Sequence, residues 1–137
     1  MDLSLAWMFF IDHVARKRQA RAHQRRSRQA TERAPRLCCV HCRNPVTRED
    51  AAIRAGGAHE HRCVNPAGLT FRIGCFSDAP GCAAFGEATT EHTWFPGCAW
   101  RVAECARCGL QLGWRYEAPE SGFFGLILDR LTPCGPR

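Results

Sequence analysis

No apolar run in this chain is long enough to cross a bilayer, and no internal repeat or low-complexity segment interrupts the part beyond residue 36. Leu3 to Val14 is apolar but falls short of the roughly 20 residues that a spanning helix needs. Asp2 stands before it, where an export signal carries positive charge. Neither export nor membrane insertion is expected from this pattern, and a cytoplasmic location is. Net charge is also missing from most of the chain. Residues 37–137 hold ten Lys/Arg and ten Asp/Glu, so the high isoelectric point belongs to the preceding segment. No nucleophile with a base beside it is apparent either, which argues against covalent catalysis. At 137 residues the chain suffices for one domain with a modest core, a size that gains from a metal staple.

What the chain does have is unevenly distributed. Residues 1–36 form a basic extension, nine Lys/Arg against three Asp/Glu, expected to be partly helical or disordered. Its apolar start carries Trp7, Phe9 and Phe10, which suit a membrane interface. Its arginines suit phosphates, so a nucleic-acid arm is equally open, as is a solvated extension with no specific role. The folded domain is expected over residues 37–137. There, short apolar runs are broken by Asn44-Pro45, Gly56-Gly57, Asn65-Pro66, Pro80-Gly81, Pro96-Gly97 and Pro119. That punctuation predicts short strands and turns, hence an all-β fold. Only Arg48–Ala55, and Phe123–Leu131 as either helix or strand, suggest helical periodicity.

Ten cysteines in so short a chain imply disulfides or metal, and without an export signal disulfides lose their usual setting. Spacing favours metal. Cys39-Val-His-Cys42 and Cys105-Ala-Arg-Cys108 are two Cys-x-x-Cys knuckles, the pattern of a tetrahedral four-cysteine zinc site. Such a site is structural, because four thiolates leave no position for water or substrate. Cys38 adjoins Cys39, so the register can slip by one, and His41 is an alternative ligand. Cys39 and Cys42 are preferred because they repeat the second spacing. Cys63, Cys75, Cys82, Cys98 and Cys134 are expected as small buried apolar side chains, with a second metal site from Cys75 and Cys82 as a minor alternative.

From His92 to Tyr116 the chain places three of its four tryptophans, Trp94, Trp100 and Trp114, around the second knuckle. Alternation puts Trp100 and Val102 on one face, and Leu110, Leu112, Trp114 and Tyr116 on another shared face. A hairpin centred near residues 106 and 107 sets Trp100 opposite position 113 or 114. The Phe95-Pro96-Gly97 turn can fold Trp94 back towards both. An aromatic pocket is the expectation, with ordinary core tryptophans as the competing reading.

Four segments carry a resemblance: Leu37-Cys38-Cys39-Val40-His41-Cys42, Val64-Asn65-Pro66-Ala67-Gly68, Glu91 to Trp100, and Cys105 to Tyr116. Leu37 to Cys134 resembles a CULT domain, the thalidomide-binding domain of cereblon, in its single-domain bacterial form. The resemblance implies a β-tent, two antiparallel sheets pinned by one structural zinc on Cys39, Cys42, Cys105 and Cys108. It also implies a non-catalytic pocket for cyclic imides such as glutarimide, or for protein C-termini ending in cyclised Asn or Gln. Its walls would be Trp94, Trp100 and Trp114, closed by Tyr116, flanked by Asn65, Pro66 and Phe71, with polar contacts from His92, Thr93 and Trp94. Cys98 stands where cereblon has Tyr, Tyr116 where it has Phe, and Phe71 where it has His; Ala67 and Leu69 differ on the outer face. No segment resembling a ubiquitin-ligase adaptor is visible. Two other readings compete. Arg107 to Trp114 also resembles the knuckle of B-type methionine sulfoxide reductases, although their downstream Arg-x-Cys-[Ile/Val]-Asn motif is missing. Three indoles can also cage a quaternary ammonium by cation–π attraction, with Glu91 as the carboxylate.

Overall fold

The computed structural model describes residues 3–135, which divide into two compact units between Ala34 and Pro35. The first holds one uninterrupted helix, α1 (Leu3–Arg33). No helix among the described residues is long and apolar enough to cross a membrane.

The second unit is built from nine strands. β1 (Arg36–Cys39), β2 (Pro45–Arg48) and β9 (Leu131–Cys134) form a three-stranded sheet in the order β2-β1-β9. β3 (Glu60–Val64), β4 (Thr70–Phe76), β5 (Cys82–Thr89), β6 (Ala99–Cys105), β7 (Gln111–Glu117) and β8 (Gly122–Ile127) form a six-stranded sheet in the order β3-β4-β8-β7-β6-β5. All pairings are antiparallel. The all-β fold of two antiparallel sheets is therefore what the chain adopts. The two stretches with helical periodicity are not helices. Arg48 ends β2 and a short 3₁₀ turn, Glu49–Ala51, follows; Phe123 to Ile127 lies within β8, followed by a 3₁₀ turn at Leu128–Arg130. Ladder pairing with neighbouring strands overrides a local period this short.

Two apolar clusters fill the unit. One joins Cys39 and Val46 of the small sheet to Phe76, Cys105, Leu112 and Leu126 of the large one. The other gathers Ile73, Cys75, Phe95, Tyr116, Phe123 and Ile127, with Trp94, Trp100 and Trp114 packed on it. The β6–β7 register decides which residues go where. Trp100 pairs with Tyr116 and Val102 with Trp114, two or three positions beyond the simple hairpin expectation. The pairing then slips between Ala103↔Gly113 and Glu104↔Gln111, leaving Leu112 as the extra residue of a β-bulge. Strict alternation would give Leu112 and Trp114 one face. Across the bulge, Leu112 enters the inter-sheet cluster and Trp114 the second one. Glycine is required nearby, because a Cβ on Gly125 would lie 2.8 Å from the Tyr116 ring.

Cys38 corrects a further expectation. It forms a disulfide with Cys134, Cα atoms 5.8 Å apart, so Cys134 is not a free apolar side chain and Cys38 is not an alternative ligand. The cause is the β1–β9 register, in which Arg36 faces Cys134 and Cys38 faces Thr132. Antiparallel pairing thus brings together cysteines 96 residues apart. Cys75 is buried, as expected of a small apolar residue, whereas Cys63, Cys82 and Cys98 are half-buried against the two clusters.

Closing so long a loop restricts the unfolded chain. Replacing Cys38 and Cys134 together with alanine should lower unfolding free energy by roughly 2–5 kcal/mol, read by chemical denaturation under oxidising conditions. The metal-to-protein ratio of the folded variant should not change. A drop in that ratio would mean that the bridge helps to hold the metal.

Candidate functional site

The four cysteines come from two turns of the same kind. β1 runs into the Cys39–Cys42 turn, where the Arg43 N–H donates to the Cys39 carbonyl at 2.8 Å and Arg43 takes a left-handed conformation with φ 65°. β6 runs into the Cys105–Cys108 turn, where Gly109 N–H donates to the Cys105 carbonyl at 2.9 Å with φ 79°. Each turn closes on a residue in the left-handed region, which points its two sulfurs to one side. Cys39, Cys42, Cys105 and Cys108 then place their sulfurs within 4.8 Å of one another. The Cys39–Cys108 and Cys42–Cys105 separations are 3.7 and 3.6 Å. Tetrahedral metal–sulfur bonds of about 2.3 Å imply edges near 3.8 Å, so the donors fit one ion. His41 is exposed and lies outside the cluster.

Supporting groups surround the sulfurs. The Asn44 side-chain amide donates to Cys105 Sγ at 3.7 Å and to the Gly81 carbonyl at 3.4 Å, which orients it. Burial pushes the Cys105 thiol up, but the N–H groups of Cys108 and Arg107 and the Cys42 and Cys108 side chains outweigh it and bring it down to about 7. Cys108 goes the other way, to about 12: the Leu110 N–H lowers it, while desolvation and the thiols of Cys42, Cys39 and Cys105 raise it more. Four sulfurs in so small a space cannot all ionise without a cation. Cys82, directly paired with Cys105, is pushed up to about 12 by burial and by Cys105 and Cys39, and stays a thiol beside the cluster. Cys75 and Cys82 pack on different clusters; among the described residues the only group of three or more ligating side chains is the four-thiol one.

The second feature is a cavity of about 470 Å³ on the large sheet. Trp100, Trp114 and Tyr116 reach it from β6 and β7, Phe71 from β4, Asn65 and Pro66 from the β3–β4 turn, and His92 and Trp94 from the β5–β6 loop. Thr89, Glu91, Val102 and Gln111 complete the lining. Sequence patterning did not single out Thr89 or Gln111. Strand pairing could have found Thr89, which lies opposite Trp100, while Gln111 reaches the cavity only because of the bulge. Thr93 lies outside the lining; its hydroxyl donates to the Phe95 carbonyl at 3.2 Å.

Pocket shape rests on indole N–H groups used as ties. Trp100 donates to the Glu91 carbonyl at 2.7 Å and Trp94 to the Val64 carbonyl at 3.1 Å, so the β5–β6 loop is anchored to β6 and to β3. Gly97 at φ 86° follows Pro96, and the Cys98 N–H donates to the Phe95 carbonyl at 3.0 Å, a type II turn. That turn drives Phe95 into the core, edge-on to Tyr116 at 4.7 Å and Phe123 at 5.0 Å. Trp94 meets Trp114 edge-on at 4.7 Å, and Phe71 meets Trp114 at 5.4 Å. Tyr116 is buried beneath these rings, and burial pushes its hydroxyl well above the usual phenol range. At the rim, His92 sits at φ 57° with its ring 3.6 Å from the exposed Glu91 carboxylate.

No protein-family model matches the chain. Among curated proteins it is similar to protein cereblon of Xenopus tropicalis, 31% identical over 107 residues, 73% of this chain and 24% of that protein. It has the same identity and coverage to protein cereblon of Gallus gallus. With protein cereblon of Danio rerio it shares 28% identity over 113 residues, 77% of this chain and 26% of that protein. The chain thus spans about a quarter of the length of the curated relatives it matches.

Removing the Asn44 amide should weaken metal affinity roughly 10- to 100-fold, and Cys108→Ala should weaken it further. Both are read by competition with a chromogenic chelator. Because protons compete with metal for the thiolates, metal affinity should weaken progressively as pH falls and strengthen as it rises, read by the same competition.

Proposed function

Because this chain carries a cereblon-like CULT domain, we propose that it is a zinc-stabilised module that binds cyclic imides without turning them over. The observation that carries the reading is the cavity walled by Trp94, Trp100 and Trp114 beside the backbone of residues 91–93. An imide offers one N–H donor between two carbonyl acceptors. With the Glu91 carbonyl and the Glu91 and Thr93 N–H groups already hydrogen-bonded, the His92 backbone and imidazole are the groups of this segment proposed to answer that edge, and the ring's CH₂ edge packs on indole faces. Free imides and protein C-termini ending in cyclised Asn or Gln share this edge.

Four thiolates at these separations suit zinc, and with all positions filled by sulfur its part would be structural. No cysteine among the described residues lines the cavity, and two thiols of the aromatic cluster beside it also weigh against turnover. Burial raises Cys63, and burial with the nearby Cys63 thiol raises Cys75 to about 11, so neither is a thiolate nucleophile at neutral pH. This also weighs against sulfoxide reduction.

The cavity volume lies within the range typical of small-molecule sites. Glutarimide has about eight heavy atoms, and half the ceiling of about −1.5 kcal/mol per atom gives roughly −6 kcal/mol, an affinity of tens of micromolar. A second reading is favoured by one observation: the Glu91 carboxylate stands at the rim of an aromatic cavity, an arrangement that also attracts a quaternary ammonium. Titrating tryptophan fluorescence with glutarimide and with tetramethylammonium separates the two. Saturation by glutarimide in the tens-of-micromolar range, lost in Trp100→Ala, is the expected result. A stronger response to the ammonium, or undiminished imide binding by Trp100→Ala, would overturn it.

A further inference from the structure

Residues outside the folded unit carry a second surface. α1 is unbroken over Leu3–Arg33, a length of roughly 46 Å at 1.5 Å per residue. Every residue from Ala15 to Gln29 is exposed. Lys17, Arg18, Arg21, Arg25 and Arg28 follow one another at steps of one, three, four and three residues. At about 100° per residue these five fall within about a third of the helix circumference, while Gln19, Ala20, His23 and Ser27 share the opposite side with Arg16, and Arg26 also lies outside the stripe, so basic charge is densest on one side without being confined to it. No Asp or Glu occurs between His13 and Thr31, so the acidic residues nearest to this positive stripe are Asp12, five residues before Lys17, and Glu32, four residues beyond Arg28, and basic charge is in excess along the helix.

The same helix begins with an uncharged apolar sequence, Leu3 to Ile11, containing Trp7, Met8, Phe9 and Phe10. Nine residues rise roughly 14 Å, about half the hydrocarbon thickness of a bilayer. A nucleic acid would engage the arginines and leave this apolar start without a role. An anionic bilayer answers both halves of the helix: acyl chains accept the apolar start, and headgroup phosphates accept the guanidinium stripe.

We propose that α1 is a peripheral anchor for anionic lipid surfaces, holding the binding domain at a membrane without crossing it. Basic side chains next to a bilayer each contribute a measurable share of binding to anionic lipid, and an apolar segment this short does not anchor firmly alone. The two halves act together.

The test is co-sedimentation of the full chain with vesicles of phosphatidylcholine alone or mixed with phosphatidylserine, at low and physiological salt. Partitioning should be about tenfold or more stronger on the mixed vesicles and should weaken with salt. The quadruple variant Arg18→Gln, Arg21→Gln, Arg25→Gln, Arg28→Gln should lose that preference. The corresponding quadruple Lys variant should keep it, and Phe9→Ser with Phe10→Ser should weaken binding to both vesicle types. Circular dichroism and the metal-to-protein ratio verify that each variant folds. Equal partitioning onto the two vesicle types, an unaffected Gln variant, or tighter binding to duplex DNA or RNA than to the anionic vesicles in the same buffer would overturn the proposal.

Discussion

The meeting of two Cys-x-x-Cys turns is the constraint on which the rest of the folded unit depends. One turn ends a strand of the small sheet and the other ends a strand of the large one, so a single four-sulfur cluster fixes how the sheets face each other. The apolar residues beside it are few: Cys39, Val46, Phe76, Ala79, Cys105, Leu112 and Leu126 form the buried part of the inter-sheet cluster. A core of that size supplies limited stabilisation, and a metal-clamped loop pair supplements it. The Cys38–Cys134 bridge acts on the same small sheet from its other edge, joining β1 to β9.

The cavity depends on the clamp through β6 and β7. These strands leave the second knuckle as a hairpin, and their first turn of ladder is set by the knuckle itself, where Cys105 N–H donates to the Leu110 carbonyl at 2.7 Å. Trp100, Val102, Trp114 and Tyr116 inherit their positions from that register. The β5–β6 loop is then folded over them and tied by two indole N–H donors. Spending those donors on backbone carbonyls leaves indole faces as the cavity wall, which favours flat or cationic ligands over strongly hydrogen-bonding ones. Polar side chains at the cavity margin are those of His92, Glu91, Asn65 and Gln111.

The two units have different characters. The folded one is neutral and pinned by sulfur; α1 is basic, exposed from Ala15 to Gln29 and without acidic residues in that stretch. The aromatic cavity and the basic charge are thus carried by separate stretches of sequence.

Much of this was legible in residue order. Cysteine spacing is local, so Cys39, Cys42, Cys105 and Cys108 announced a four-sulfur cluster able to hold a metal, and turn residues every ten to twenty positions announced short strands. The gathering of tryptophans around the second knuckle was visible for the same reason. Other features depended on partners far along the chain. Leu112 and Trp114, two residues apart, part company because a bulge costs one ladder pairing and gains burial for both, a balance set by β6. Cys134 found Cys38 because β9 pairs with β1, which nothing near either cysteine encodes. Thr89 and Gln111 joined the cavity margin through strand register alone. Sequence by itself determined the ligand set, the strand-rich class and the charge asymmetry, since each follows from neighbours within a few residues. Register, bulge and disulfide partner were decided only by tertiary structure, because long-range pairing energies outweigh the local alternation from which they would otherwise be read.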